Sequence, residues 1–198
     1  VWDSGQYVLI TDENGRMLWY DTARQATGSG AAIVNQDSVV AGFALYGNVF
    51  PDPVAPGTDG RLATCTFAGT VSERNSMTVS IECTRPDGSE FLSLDDLAFA
   101  YAPVHGRGSS LATITGMFQV GPDVMDIAGD GTVFLQEAAT ACVTTGAVNV
   151  IDPAFNLYRV SLTISNCAGQ FAPRNGTLFS GFALLDDETN PGTETVLL

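Results

Sequence analysis

The sequence predicts an all-β fold, an antiparallel meander barrel or sandwich built from two related, disulfide-stapled repeats. Three observations carry this. Tyr158, Val160, Leu162 and Ile164 are apolar at every second position, with Arg159, Ser161, Thr163 and Ser165 between them, the period of a half-buried strand. Asn14-Gly15, Asp130-Gly131 and Asn175-Gly176 are turn dipeptides between apolar runs, the strongest short-range hairpin signal. Finally, Cys65 to Val71 and Cys142 to Val148 share the spacing C-x-x-x-G-x-V. Each is followed by an alternating strand ending in cysteine (Cys83, Cys167), then G-x-x-F (Gly88 to Phe91, Gly176 to Phe179), then paired aspartates (Asp95-Asp96, Asp186-Asp187). That shared order indicates an internal duplication, with residues 1–104 as the first repeat and 105–198 as the second, packed as one body in preference to two small barrels side by side.

Taken in order, Gln6 to Ile10 and Met17 to Tyr20 read as a hairpin around Asn14-Gly15, and Ala31 to Val34 and Val39 to Tyr46 as further strands. Residues 48–60 carry three prolines and two glycines, a loop and the clearest insertion relative to the second repeat. The first cysteine strands follow. Ser93 to Ala100 reads as a short helix, with Ser93 as N-cap and Asp95 and Asp96 in the first turn. Tyr101 to Ser110, rich in Gly, Pro and Ser, connects the repeats, and Glu194 to Leu198 reads as a closing strand. Roughly ten to twelve strands result, a number that suits a sandwich or barrel.

Composition sets the class and the compartment. A hydrophobic fraction of 45% excludes disorder, and no apolar run approaches the roughly 20 residues of a membrane helix. Four cysteines allow three connectivities; the duplication selects Cys65–Cys83 and Cys142–Cys167, one bridge per repeat. Reduced buried thiols are the alternative, and zinc fits worse, because the spacings are long and His105 is the only histidine. Disulfides place the chain in an oxidising compartment: periplasm, outer-membrane surface or medium. No signal peptide is visible, so export would put Val1 at or after a processing site. The net charge is −14, with eight arginines and no lysine. Without a basic stripe, nucleic acid and anionic membranes are poor partners.

Signals for chemistry are sparse, and each has a structural explanation beside it. His105 with Ser109 and Ser110 is the only base–nucleophile candidate, but a histidine in a Gly-rich connector is commonly just exposed. Asp95-Asp96 and Asp186-Asp187 could pair carboxylates, yet adjacent residues on a strand face opposite sides. Asp12-Glu13-Asn14 and Asp186-Asp187-Glu188-Asn190 are weak calcium candidates without an established loop pattern. Asn175-Gly176-Thr177 fits a glycosylation acceptor, although an N-G turn explains it. Trp2, Trp19 and Tyr20 form the one aromatic group that could stack on a sugar or apolar ligand; plugging a barrel end is the other reading. No phosphate loop, dinucleotide fingerprint or metal-spaced cysteine pair is present, and no cofactor is expected.

The segments SSLATITG, MDIAGDG, ACVTTGAVNVID, NLYRVSLTISNC and NGTLFSGFALLDD resemble a recurrent pattern in bacterial envelope proteins, β-rich chains that are secreted or lipid-anchored. The resemblance covers residues 109–187 and implies no activity and no functional residues. The expectation is a non-catalytic extracytoplasmic structural or protein-interaction protein, self-assembling by strand addition from Trp2–Ile10 or Thr193–Leu198. A barrel binding a small apolar or sugar ligand is the alternative, and a hydrolase-type enzyme the second alternative.

Overall fold

The computed structural model describes residues 1–47 and 60–185, with the backbone of 186 and 195–197. The chain divides into two compact units, Val1–Ala102 and Pro103–Leu198. Each forms its own sheet, so the strands of the two repeats do not share a barrel.

The first unit holds β1 (Trp2–Asp3), β2 (Tyr7–Thr11), β3 (Arg16–Asp21), β4 (Ala26–Asn35), β5 (Ser38–Gly47), β6 (Arg61–Ser72), β7 (Ser76–Thr84) and β8 (Glu90–Tyr101). Every neighbour pairs antiparallel, and β1 returns to β8 (Trp2↔Tyr101, Asp3↔Ala100), which closes the barrel. Closure removes the sheet edges. An eight-stranded barrel is just wide enough for its own side chains. Here the interior is filled by Leu9, Met17, Trp19, Phe43, Phe67, Val79, Ile81 and Phe99 among others. Trp19 sits at their centre, its ring 5.5 Å from Phe43, 4.9 Å from Tyr7 and 5.8 Å from Phe99.

The second unit begins with a 3-10 turn, Pro103–Gly106, and a one-turn helix α1 (Leu111–Ile114) capped by Ser110, whose hydroxyl accepts from the Thr113 N–H. Its strands are β9 (Gly116–Val120), β10 (Asp123–Ile127), β11 (Thr132–Gln136), β12 (Val143–Val150), β13 (Tyr158–Ser165), β14 (Leu178–Asp186) and β15 (Thr195–Leu197). They form an open antiparallel sheet in chain order, edged by β9 and β15. Leu111 and Ile114 of α1 pack on the apolar face made by Phe118, Ile127, Val133, Val148, Tyr158 and Ala183. Asn156 is buried and ties the connector to β14: its amide donates to the Val104 and Leu185 carbonyls and accepts from the Leu185 N–H.

Both bridges form as the duplication implies. Cys65 and Cys83 are direct partners across β6 and β7, and Cys142 and Cys167 lie just beyond the Val143↔Ser165 end of β12 and β13; both pairs have Cα atoms 4.0 Å apart. The C-x-x-x-G-x-V motif has a packing cause. A Cβ on Gly69 would run into the Thr78 carbonyl, and one on Gly146 into the Ser161 carbonyl, so in each repeat the cysteine strand presses on its neighbour through a bare backbone. The turn glycines correspond too. Gly15 and Gly131 both have positive φ, and their carbonyls accept from the Ala32 and Val148 N–H groups on the next strand, each at 2.8 Å.

These two correspondences locate where the repeats differ. By the turn, β12 stands to β11 as β4 stands to β3; by the cysteines, it stands to β13 as β6 stands to β7. By this mapping the first repeat carries two strands with no counterpart in the second, and the second carries one, β15, with no counterpart in the first, so the sheets have eight and seven strands. The surplus is a strand pair upstream of the proline-rich segment, whose residues 48–59 lie outside the described ones.

Several sequence expectations are corrected. Fifteen strands appear among the described residues, more than the ten to twelve expected, because a very short strand such as β1 leaves no periodic signal. Ser93 to Ala100 is strand, not helix. Leu94 and Leu97 pair with Ile81 and Val79, so Asp95 and Asp96 together oppose Ser80 in a β-bulge, with Asp96 at φ 52°. The pairing energy of a closing barrel strand outweighs the local helix signal. Asn175-Gly176 is not a two-residue hairpin either: a 3-10 helix, Gly169–Arg174, separates β13 from β14.

Candidate functional site

The candidate residues are separated by the alternation of the strands. Trp19 points into the barrel core and is 2% exposed, whereas its neighbour Tyr20 lies on the outer wall at 36%. Trp2 is half-buried on β1 and edge-on to Tyr101 at 5.5 Å. Trp2 and Trp19 both flank Leu9 in register, one on each side. Alternation thus sets Tyr20 on the opposite face from Trp2 and Trp19, Leu9 stands between those two, and Trp2 lines a cavity.

That cavity occupies one end of the barrel and has a volume of about 260 Å³. Leu9, Ala32, Val39, Phe67 and Met77 form its buried floor, and Trp2, Val34 and Val71 its walls. Thr11, Gln36 and Glu73 supply the polar groups; Gln36 and Glu73 lie in the turns that follow β4 and β6. The opposite end carries a buried polar cluster. Asp21, 1% exposed, accepts from the Ala23 and Arg24 N–H groups and the Gln6 amide, and its other oxygen holds the Arg24 guanidinium at 2.9 Å. Arg24 also donates to the Tyr7 hydroxyl at 3.4 Å. Burial pushes the Asp21 carboxyl up, but the Arg24 and Gln6 hydrogen bonds and the Arg24 charge outweigh it, and its pKa falls below the ordinary value. The barrel is thus a cup with a polar stopper at one end and an apolar mouth at the other.

A second feature lies on the open sheet. Its edge strand β9 (GMFQV) contains neither charge nor proline. Met117 is 79% exposed, Gln119 and Val120 are exposed beside it, and Phe118 points into the core. An edge strand presents alternate N–H and C=O groups with no ladder partner, and proteins ordinarily blunt such edges with lysine, proline or a bulge. In register across the outer face, Met117 aligns with Asp126, Phe134, Thr145, Thr163 and Leu178. Phe134 and Leu178 of this row are themselves exposed.

The other candidates are occupied with structure. The His105 ring stacks on Phe155 with centroids 5.1 Å apart, and it is half-buried rather than exposed. The Ser109 hydroxyl donates to the Asp152 carbonyl and the Ser110 hydroxyl caps α1. Asp12 Oδ1 accepts from the N–H groups of Asn14 and Arg16, both at 2.9 Å, which fixes the turn. Asp95 and Asp96 are exposed in the bulge. Asn175 spends its amide on the Cys167 backbone, accepting from the N–H at 2.8 Å and donating to the carbonyl at 3.1 Å. Among the described residues no three acidic, histidine or cysteine side chains converge as a metal cluster. The weak calcium candidates Asp187 and Glu188, and the side chain of Asp186, lie outside the described residues.

Sequence reasoning missed Gln36, Glu73 and Met77 at the barrel mouth, and the edge character of Gly116–Val120. The former come together only through barrel closure. The latter had one legible signal, a short apolar strand without a charge. Comparison with protein-family models, curated proteins and solved structures returned no match.

Proposed function

We propose that this chain is a non-catalytic, extracytoplasmic interaction protein that self-associates through the open edge of its second sheet. The observation that carries the reading is β9, an uncharged edge strand with Met117 exposed in a molecule whose other sheet has closed its edges. A second copy is the favoured occupant. Two β9 strands related by a two-fold axis pair antiparallel, satisfy each other's ladder groups and cover Met117 on the outer face. An edge without charge has no electrostatic preference for a different partner, whereas the −14 net charge elsewhere opposes close approach of two copies. Association should therefore strengthen with salt. Two disulfides support the extracytoplasmic placement.

The terminal donors expected from sequence are used within the fold. Trp2–Asp3 is wedged between β2 and β8, Tyr7–Thr11 between β1 and β3, and Thr195–Leu197 already pairs with β14. The test is light scattering and sedimentation of the non-reduced protein across concentration and from low to high salt. Dimers or ordered polymers that grow with salt are expected. Met117→Lys should weaken them, and Gln119→Pro, which removes a backbone donor, should weaken them as well. A monomer under every condition, or Gln119→Pro assembling like the parent, would overturn the proposal.

A further inference from the structure

The barrel mouth has a property that neither closure nor self-association requires. An enclosed apolar hole of roughly 150 Å³ accommodates benzene, which sets the scale for a mouth that is open to solvent on one side. The mouth holds about 260 Å³ over a floor of Leu9, Ala32, Val39, Phe67 and Met77, and the far end of the same barrel carries the Asp21–Arg24 pair. Small residues make the space. Ala32 lies where β4 faces the interior, and a larger side chain there would fill the floor. Mouths of β-barrels are a preferred place for small-molecule sites, which pair an apolar lining with a few polar groups.

We infer that this mouth is a binding site for a small compound with an apolar, ring-sized body and a cationic head, of the arylalkyl amine class. The body sits on the floor between Phe67, Met77 and the Trp2 wall, and the head emerges at the rim beside Glu73 and Gln36. Glu73 is the one charged group among the described lining residues, so the rim field favours a cation and disfavours a carboxylate. That field is reinforced by the acidic balance of the whole chain. Trp2 supplies a ring face or edge to the ligand's own ring.

The inference is tested with the full, oxidised chain and three probes sharing one body: 2-phenylethylamine, 2-phenylethanol and phenylacetate. Calorimetry gives affinity, and Trp fluorescence reports occupancy at Trp2. Saturable binding is expected in the order amine, alcohol, carboxylate, with about tenfold between the ends of the series. Glu73→Gln should bring the amine close to the alcohol and leave the alcohol unchanged. Ala32→Leu should abolish binding of all three while leaving the melting temperature equal or higher, because it fills a hole. Should Ala32→Leu fail to fold, Val34→Trp at the exposed rim blocks entry without touching the core. The fluorescence response should vanish in Trp2→Phe. Absence of saturable binding for every probe, binding unaffected by Ala32→Leu or Val34→Trp, or phenylacetate binding as tightly as the amine would each overturn the assignment.

Discussion

Removing one bridge at a time tests whether each repeat is stapled on its own. The perturbations are Cys65→Ala with Cys83→Val and, separately, Cys142→Ala with Cys167→Val; an Ala–Val pair fills about the volume of a cystine, which keeps the cavity cost small. The bridges span 18 and 25 residues. Loop-closure entropy for loops of those lengths corresponds to about 3.2 and about 3.5 kcal/mol at 25 °C. A unit of about a hundred residues unfolds with an entropy near 0.2 kcal/mol per degree, so each loss lowers its melting temperature by about 15 °C. Cys65, Cys83 and Cys142 are 0–2% exposed and the paired strands hold their geometry without the sulfurs, so the native folds should survive. The assay is differential scanning calorimetry, with far-UV circular dichroism to identify the species and mass spectrometry to confirm the remaining bridge. The first double substitution should shift the transition of residues 1–102, and the second that of 103–198. A loss below about 1 kcal/mol from either pair, or one substitution shifting both transitions equally, would refute the reasoning that each bridge acts by restricting its own unfolded loop.

Further predictions concern the motif and the stopper. Gly69→Ala and Gly146→Ala should each cost at least about 2 kcal/mol, because a Cβ there meets the backbone of the facing strand. Gly42→Ala, where nothing lies within 4 Å, should be neutral or stabilise by about 0.5 kcal/mol; urea titration distinguishes the two outcomes. The folded Asp21 pKa lies below its ordinary value, so its contribution is present at neutral pH and is lost as pH falls through the folded pKa. Asp21→Asn should lower barrel stability at pH 7 by about 1–3 kcal/mol and flatten the acid side of its stability profile below about pH 4. Equal pH profiles for parent and variant would count against the stopper.

The features legible in the sequence follow from local chemistry. Strand alternation, turn dipeptides and the C-x-x-x-G-x-V echo are set by residues a few positions apart, and they were enough for the all-β class, the duplication and both disulfides. The same locality misread Ser93 to Ala100, where a cap and two early carboxylates imitate a helix start that pairing with β7 overrides. Tertiary structure alone decided the rest, because each remaining feature depends on contacts distant in sequence. Barrel closure rests on Trp2 meeting Tyr101, and the mouth cavity on two turns and Trp2 converging. Trp19 and Tyr20 part company because of the strand face on which each falls. The open edge at β9 exists because the seven strands of the second sheet do not return to pair with it, whereas β1 of the first repeat meets β8.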